Sequence, residues 1–479
     1  MLDVGDRQSP GWWMRRLALA MNHRRVSPFW SQTSLPPSMS SEVRHRPGLI
    51  VLDDYLRGEP PLPLVGDWPA SVVAMVRMAR MNYAELVVGS VLDRLHPVAW
   101  RTSLESDRDG DDVVHRIAKN AQLSLVLSDV FEDMLSQGVG YAHVSLVDGA
   151  PAVTAEDPWW TITAKDVYGR TAAGLRSVVD EWTGDAQQQL YLRSGGRVTL
   201  HVARKSDPQD RLSTIEFDPR LWTWDDDGPA GIDVPGVSRI PLVEVVNRRG
   251  VAEYEPHLDV LDRINNTIWD WLVIGKHQAH RQRGLKNLPD VYPPGHPRAG
   301  EKIDYTGVFT ADPGSLWKLP PDTEVWESAV TDLGPLRLAT KDDVQALAAV
   351  TRTPLHYITP DAANGSAEGA STMKEAFVYR ALDRRRRAEH ATNQVVSLAL
   401  ELSGEHDRAD LSALTTIWAP LERHSLSETY QSAVAAKQAG LPQESVFTDI
   451  MGYPPAELSR LQGERARDLL YAPGVSTGV

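Results

Sequence analysis

The sequence of 479 residues contains no cysteine. This absence excludes disulfide bonds, thiolate zinc sites, iron–sulfur clusters and cysteine nucleophiles. Long hydrophobic runs are also absent, and the apolar stretch near the start, residues 17–21, stops at Asn22. Signal peptides need about 7–15 apolar residues and membrane helices about 20. We therefore expect a soluble chain with no signal peptide and no membrane-spanning helix.

The sequence has fewer basic than acidic residues. Lys and Arg total 50 against 64 Asp and Glu, which gives a formal net charge of −14. Broad nucleic-acid binding surfaces depend on cations placed against phosphates, so this balance argues against one. The hydrophobic fraction of 42% is ordinary for a globular protein. At about 100–200 residues per domain, the length predicts two to four domains or one elaborate one.

Nucleotide-binding and catalytic motifs are missing as well. The sequence has no G-x-x-x-x-G-K-[ST] phosphate loop and no G-x-G-x-x-G after a predicted strand. A G-x-S-x-G match at 474–478 lacks the flanking strand and helix of a nucleophile elbow. An acidic stretch, 105–110, imitates a calcium loop, but Arg116 stands where the bidentate glutamate belongs. We predict no catalytic residue, no metal and no cofactor.

A basic cluster ends a predicted helix. Two of its members, His277 and His280, have a spacing that could hold a metal, but the neighbouring cations disfavour one. Two interpretations stay open: a favourable interaction with the helix dipole, or a contact with DNA or another subunit. The cluster comprises Lys276, His277, His280, Arg281, Arg283 and Lys286.

Hydrophobic periodicity predicts an α+β domain over residues 60–250. Apolar residues recur at helical spacing in 69–95 and 113–137, and Gly138 is a typical helix-ending residue. The predicted strands cover 141–147, 160–164, 189–193, 197–203, 212–217 and 241–246. Residues 1–60 predict a short helix near 11–24 and a Trp-bearing arm, which we interpret as a strap over its own domain rather than a binding element.

The pattern changes to long helices after Pro256. The first covers 257–278 and is about 30 Å long. The segments that follow are an irregular insert at 285–335 with strands near 302–310 and 324–328, a helix at 336–350, a small polar loop at 361–371, a long helix at 372–402 and short helices at 405–470. The apolar stripe of the first helix includes Leu261, Ile264, Ile268 and Leu272.

Four consecutive arginines, Arg384 to Arg387, lie on the predicted long helix. Consecutive residues point in different directions around a helix, so they cannot form one patch. We predict ion pairs with carboxylates of neighbouring helices or chains and keep direct DNA contact as the alternative.

Several passages in this order resemble the portal proteins of tailed bacteriophages, especially those of phages that infect actinobacteria. Each passage alone is weakly specific, and their order and spacing carry the resemblance over about three quarters of the chain. The passages are 80–95, 118–144, 240–248, 261–267, 351–357 and 366–368.

The resemblance implies a portal fold assembled as a ring, usually a dodecamer, at one vertex of the capsid. Such a ring is a virion component, assembled in the host cytoplasm, and forms the channel for packaging and ejecting double-stranded DNA. The implied partners are other copies of the chain, the large terminase, the head-to-tail adaptor, the major capsid protein and non-specifically bound DNA. The family is not enzymatic and does not contact membranes.

The resemblance also divides the chain by analogy. The implied parts are an N-terminal arm at 1–60, a wing at 61–255, a first stem helix at 256–284, a clip at 285–335, a second stem helix at 336–352, a tunnel-loop region at 353–371, a long wing helix at 372–404, and a crown with a flexible tail at 405–479. The implied DNA-facing residues of the tunnel loop are Asp361, Asn364, Gly365, Ser366, Glu368 and Gly369. Loop 361–371 has no Lys or Arg, so a mechanism in which it levers phosphates has no support in the sequence.

Two other classes of function stay open. One is a different virion component, such as another head-to-tail connector or a minor capsid protein. The other is a hydrolase or transferase with a dispersed carboxylate site, for which Asp53 with Asp54 and Asp342 with Asp343 are candidates.

Overall fold

The structure is a computed structural model, and it divides into two compact units. The large unit comprises Met1–Pro60, Asn82–Leu258 and Ala348–Val479, and the small unit comprises Pro61–Met81 and Asp259–Leu347. The described residues are 3–6, 9–26, 47–61, 70–104, 110–179, 182, 185–205, 218–225, 230–279, 283–306, 309, 319, 322–327, 329–358, 367–421, 426–453 and 455–471.

The described part of the chain mixes helices and antiparallel strands, which confirms the predicted α+β class. The helices are α1 (Pro10–Val26), α2 (Leu49–Leu56), α3 (Ala70–Arg77), α4 (Tyr83–Leu92), α5 (Asp112–Asn120), α6 (Leu123–Gln137), α7 (Leu258–Ala279), α8 (Gly334–Thr351), α9 (Leu355–Ile358), α10 (Ala367–Leu402), α11 (Leu426–Gln438), α12 (Gln443–Ser445) and α13 (Pro455–Tyr471). The strands are β1 (Pro97–Arg101), β2 (Val139–Val147), β3 (Ala150–Glu156), β4 (Thr161–Lys165), β5 (Thr171–Val179), β6 (Ala186–Ser194), β7 (Arg197–Lys205), β8 (Trp222–Trp224), β9 (Ile232–Asp233), β10 (Leu242–Val246), β11 (Arg283–Lys286), β12 (Glu324–Glu327) and β13 (Thr415–Trp418). None of the described helices combines the length and the apolar character needed to cross a membrane.

The described residues of the large unit form three antiparallel sheets. One has the order β10-β2-β3, the second has the order β4-β5-β6-β7-β8 with β9 also paired to β7, and the third joins β1 to β13. Helix α1 lies against the second sheet: its Met14 and Leu17 share a buried cluster with Leu175 and Leu190. The predicted strap is therefore confirmed for α1, while Trp30 and the rest of the arm at 27–46 lie outside the described residues.

Helix α6 approaches strand β2 at a position that only glycine allows. A Cβ on Gly140 would lie 2.0 Å from the carbonyl oxygen of Val130 in α6, and one on Gly138 would lie 2.2 Å from the carbonyl oxygen of Gly250. Gly138 also has a φ of 85°, and this left-handed conformation ends α6 as predicted. The helix-then-strand unit is thus packed without an intervening side-chain layer.

Two predicted helices are each split in the structure. Residues 113–137 form α5 and α6, because Gln122 takes a left-handed conformation with φ 49° between them. Residues 69–95 form α3 and α4, and the side chain of Asn82 caps α4 by accepting a hydrogen bond from the amide of Glu85. Because glutamine is not a typical turn residue, the hydrophobic periodicity predicted one helix that continues through Gln122.

The strand predictions are correct in part. The segments predicted at 141–147, 160–164, 189–193, 197–203 and 241–246 correspond to β2, β4, β6, β7 and β10. The segment at 212–217 lies outside the described residues, and near 302–310 the described residues show only an isolated bridge from Lys302 to Val291. The elements without a counterpart in the sequence prediction are α2, α9, β1, β3, β5, β8, β9, β11 and β13.

The small unit contains α3, most of α7 and α8, and the hairpin β11–β12. Leu261 is 3% exposed, Ile264 0% and Ile268 8%, as the apolar stripe predicted, whereas Leu272 is only half-buried. Arg263 of α7 forms an ion pair with Asp343 of α8 at 2.8 Å. Asp343, one of the two carboxylates of the candidate Asp342–Asp343 catalytic site, therefore has a structural role.

Two boundaries and one element type differ from the predicted ones. Helix α7 ends at Ala279 and β11 begins at Arg283, so Arg283 and Lys286 lie on a strand rather than on the basic helix end. Helix α10 begins at Ala367 rather than at 372, since alanine and glutamate favour helix and a glutamate suits its first turn. In the terminal segment, predicted to be purely helical, β13 pairs with β1 of the large unit.

Candidate functional site

The candidate site is built around Glu253 of the large unit. Strand β10 ends at Val246, and the Asn247 side chain then caps a tight turn at Arg248–Gly250. The Asn247 amide also donates to the backbone oxygen of Val251 at 2.8 Å and to Glu253 Oε1 at 2.9 Å. The Glu253 amide in turn donates to the backbone oxygen of Leu135 near the end of α6. These bonds fix the glutamate five residues before the chain passes into the small unit.

Two arginines of α10 bind Glu253 from the other side. Arg380 Nε donates to Glu253 Oε2 at 2.8 Å, and Arg384 Nε donates to the other carboxylate oxygen. They lie four residues apart, so both side chains are on the same face of the helix. The side chains of Glu253 and Arg380 are 3% and 5% exposed. This is a buried, charge-assisted network rather than a surface ion pair.

Arg380 also holds the end of α8. It donates to the backbone oxygen of Thr351 and, at 3.2 Å, to the hydroxyl of Thr353. A further bond of 3.3 Å reaches the backbone oxygen of Val87 in α4. Within the large unit, one buried guanidinium thus joins α10, the last turn of α8, α4 and the segment that precedes α7.

The carboxyl group of Glu253 is ionised in this network. Burial alone would raise its pKa, but the charges of Arg380 and Arg384 and the hydrogen bonds from Arg384 and Asn247 outweigh burial. The pKa of Glu253 therefore lies below its ordinary value. The His257 pKa is also below its ordinary value, first because of burial and then because of the Arg380 charge, so that imidazole is neutral at pH 7.

An open cleft of about 410 Å³ lies beside the network. Five arginines and two carboxylates are among its lining residues, so its charge is net positive by three when all of them are ionised. We name it the arginine cleft and define it by Arg248, Arg249, Glu253, His257, Arg352, Tyr379, Arg380, Asp383 and Arg384. In a chain of formal charge −14, this is a local reversal of sign.

The four consecutive arginines point in different directions, as predicted. Arg384 binds Glu253 and Asp383, and Arg387 also binds Asp383. Arg385 lies over the ring of Trp418 at 5.2 Å and donates to the backbone oxygen of Arg94. Arg384 and Arg387 therefore form ion pairs, but their partners are Asp383 of the same helix and Glu253 of the segment between β10 and α7, not carboxylates of a neighbouring helix or chain as predicted.

The other predicted site residues are not gathered at this cleft. Lys276 is exposed near the end of α7, and the backbone of Arg283 pairs with Glu327 across the β11–β12 hairpin. Glu368 and Gly369 lie in the first turn of α10, which corrects the prediction that they belong to a loop. His280, Arg281, Asp361, Asn364, Gly365 and Ser366 lie outside the described residues.

Sequence reasoning missed the cleft because its parts are distant in sequence. Arg380 lies 127 residues after Glu253. Arg248 and Arg352 each lie in a passage that resembles the portal proteins. That resemblance was the only feature of the sequence that pointed to these two arginines. A scan of the chain against protein-family models gives no match, and a comparison with curated proteins gives none either.

A second cavity of the large unit, of about 530 Å³, is acidic. Asp53, Glu132, Asp133 and Asp157 line it. Burial, followed by the charges of Asp157, Glu132, Asp129 and Asp53, raises the pKa of Asp133 to about 8. Asp53 pairs with Arg57 at 3.0 Å, so one member of the Asp53–Asp54 candidate already has a cationic partner. Among the described residues, no group of three His, Asp or Glu side chains is arranged to hold a metal ion.

Replacing Asp133 with Asn is expected to stabilise the protein in a pH-dependent way. The folded pKa of about 8 lies above the ordinary 3.8, so the wild type loses stability as the pH rises from about 4 to 8. Asn stays neutral throughout. The gain in unfolding free energy should grow from near zero at pH 4 to on the order of 2 kcal/mol at pH 8, after allowance for partial solvation.

Urea unfolding of both proteins at several pH values measures this difference. Asp93→Asn, at an exposed position of the same unit, is the control and should show no such growth. A stability difference between Asp133→Asn and wild type that stays flat from pH 4 to 8 would show that Asp133 ionises normally.

Proposed function

We propose that the chain is a portal subunit that forms a ring at the capsid vertex. In this proposal double-stranded DNA passes through the axial channel during packaging and ejection, and the ring docks the large terminase and later the head-to-tail adaptor. The ring would be part of the virion, seated against the major capsid protein, after assembly in the host cytoplasm. The observation that carries the proposal is the order of elements: α7, the β11–β12 hairpin, α8, and then the long α10.

This order matches a stem, clip, stem and long wing helix. α7 has 22 residues, α8 has 18 and α10 has 36. The only regular strands described between α7 and α8 are those of one hairpin, which fits a small clip. The names come from the portal resemblance, and the element order supports using them.

The small unit also leaves apolar side chains in solvent. Trp326 of β12 is 50% exposed, Val330 is 66% exposed and Leu338 of α8 is 59% exposed. Covering these side chains at a contact between subunits would remove apolar area from water. In a ring every contact is heterologous, so each subunit presents two different faces to its neighbours. These side chains support placing the hairpin and α8 at such contacts.

The charge balance supports a conduit. A channel lined with many cations would bind phosphates and resist sliding, whereas a chain of net charge −14 lets DNA pass without a strong grip. The part of the implied tunnel loop that precedes α10, residues 361–366, has no Lys or Arg and agrees with this requirement. A passive channel also requires no nucleophile and no phosphate loop.

Mass photometry of the purified chain tests the proposal. A ring gives a species of fixed mass, near twelve times 53.0 kDa. Any other species should be smaller assembly intermediates. A different connector or minor capsid protein would give another closed multiple or would associate only with capsid components. A monomer at every concentration and salt tested, alone and with capsid protein, would contradict the proposal.

A further inference from the structure

We propose that the arginine cleft is a binding site for a phosphate oxyanion. The inference stands on the geometry of the large unit and does not depend on ring assembly. It gives a role to Arg248, Arg249 and Arg352, which the buried network around Glu253 does not use.

The carboxylates of the cleft are already occupied. Glu253 accepts hydrogen bonds from Arg380, Arg384 and Asn247. Asp383 is bound by Arg384 and Arg387. No described carboxylate forms an ion pair with Arg248, Arg249 or Arg352, and all three side chains are exposed. Three uncompensated guanidiniums therefore remain around one cleft in an acidic protein.

Two of these arginines stand where the backbone favours glycine. Arg249 has a φ of 60° and Arg352 a φ of 55°. Arg352 follows the end of α8, where the Thr353 amide donates to the backbone oxygen of Ala348 in the manner of a glycine-type helix end. A side chain in this conformation destabilises the backbone relative to glycine. Strained backbone of this kind clusters at ligand sites and switch regions, and two of the six described non-glycine residues with positive φ line this cleft.

The chemistry of the cleft favours phosphate. A guanidinium donates two parallel hydrogen bonds to an oxyanion, and several of them together suit a multiply charged, tetrahedral group. The net charge of the lining groups matches a phosphate dianion or a run of diesters better than a single carboxylate. Neutral His257 and Tyr379, a residue that is 62% exposed, add polar groups to the lining of the cleft. A volume of about 410 Å³ accommodates such a group together with water.

The phosphate could come from free phosphate or from a nucleic-acid backbone, and two probes separate these sources. Inorganic pyrophosphate is titrated by calorimetry, and a fluorescent 20-base-pair duplex by anisotropy at several salt concentrations. The variant is the triple substitution Arg248→Gln, Arg249→Gln and Arg352→Gln. The control removes the same charge from exposed positions of the same unit: Arg170→Gln, Arg197→Gln and Arg220→Gln.

Pyrophosphate should bind the wild type and the control alike and bind the triple variant at least about tenfold more weakly. If the source is a nucleic-acid backbone, the log–log salt slope for the duplex also becomes smaller, by about 0.9 for each phosphate that the variant no longer neutralises. An unchanged duplex slope, together with weakened pyrophosphate binding, assigns the site to free phosphate. Equal pyrophosphate binding by all three proteins, or none by the wild type, would overturn the proposal, as would tighter binding of an oligoglutamate peptide than of pyrophosphate.

A single variant tests whether misfolding, rather than the lost charge, causes the weaker binding of pyrophosphate. Arg352→Gly removes the charge and relieves the left-handed strain, so its melting temperature should be equal to or above that of the wild type while pyrophosphate binding weakens. Retained binding by this more stable variant would show that Arg352 has no part in the site.

Discussion

Replacing Glu253 with Gln is expected to lower the free energy of unfolding by about 3–5 kcal/mol, the largest loss we predict for one substitution of similar shape. Glutamine keeps the volume of the side chain but removes the charge that compensates two arginines. Arg380 is 5% exposed and Arg384 is 11% exposed, so water from the arginine cleft replaces the missing carboxylate only in part. The helices and loops that Arg380 joins lose their common anchor at the same time.

The effect of Glu253→Gln should depend on pH in a defined direction. The folded pKa of Glu253 lies below its ordinary 4.5, so the stabilisation is fully present above that value and is lost as the pH falls through the folded pKa. The difference from wild type should therefore shrink in acid. Glu59→Gln, at an exposed position of the same unit, is the control and should change stability by less than about 0.5 kcal/mol.

Urea unfolding followed by tryptophan fluorescence provides the measurement. A loss of less than about 1 kcal/mol for Glu253→Gln would show that the two arginines are solvated or find other partners. Replacing Glu253, Arg380 and Arg384 together with apolar residues should recover much of the stability, because no unpaired charge then remains buried.

Replacing Ile264 with Asp is expected to unfold the small unit, whereas replacing Leu272 with Asp leaves it folded. Ile264 is fully buried on α7, and an unpaired carboxylate there destabilises the fold by more than about 4 kcal/mol. Leu272 is only half-buried, so an aspartate there keeps contact with water. If the ring proposal holds and the remaining surface of Leu272 lies at a subunit contact, Leu272→Asp yields folded chains that fail to assemble.

Denaturant unfolding and mass photometry of both variants separate folding from assembly. Asn266→Asp adds the same charge at an exposed position of α7 and should affect neither measurement. A normally stable Ile264→Asp protein would refute the packing of α7, and normal assembly of Leu272→Asp would remove that residue from the proposed contact.

The long helices were predictable because their apolar stripes extend over many turns. Helices α7, α8 and α10 lie within a few residues of their predicted bounds, apart from the five extra residues at the start of α10. Short or polar elements were not predictable in the same way. Strand β3 is mostly half-exposed, and β13 becomes a strand by pairing with β1, which is more than 300 residues earlier. Pairing over such a distance leaves no local pattern in the sequence.

The candidate site depended on tertiary structure even more strongly. The sequence around Glu253 does not predict that its partners are Arg380 and Arg384. Helical geometry correctly predicted that the members of the arginine run point in different directions, but their carboxylate partners could come only from the fold. Buried ionic networks combine residues that are distant in sequence. The sequence shows the individual charged residues, but it does not show which of them pair.

The most direct measurement is negative-stain electron microscopy of the purified, assembled chain. A portal ring gives annular particles with a central hole and, in end views, a single rotational symmetry close to twelvefold. Compact particles without a hole, or open filaments of stacked subunits, would contradict the claim that this chain encloses a channel for DNA.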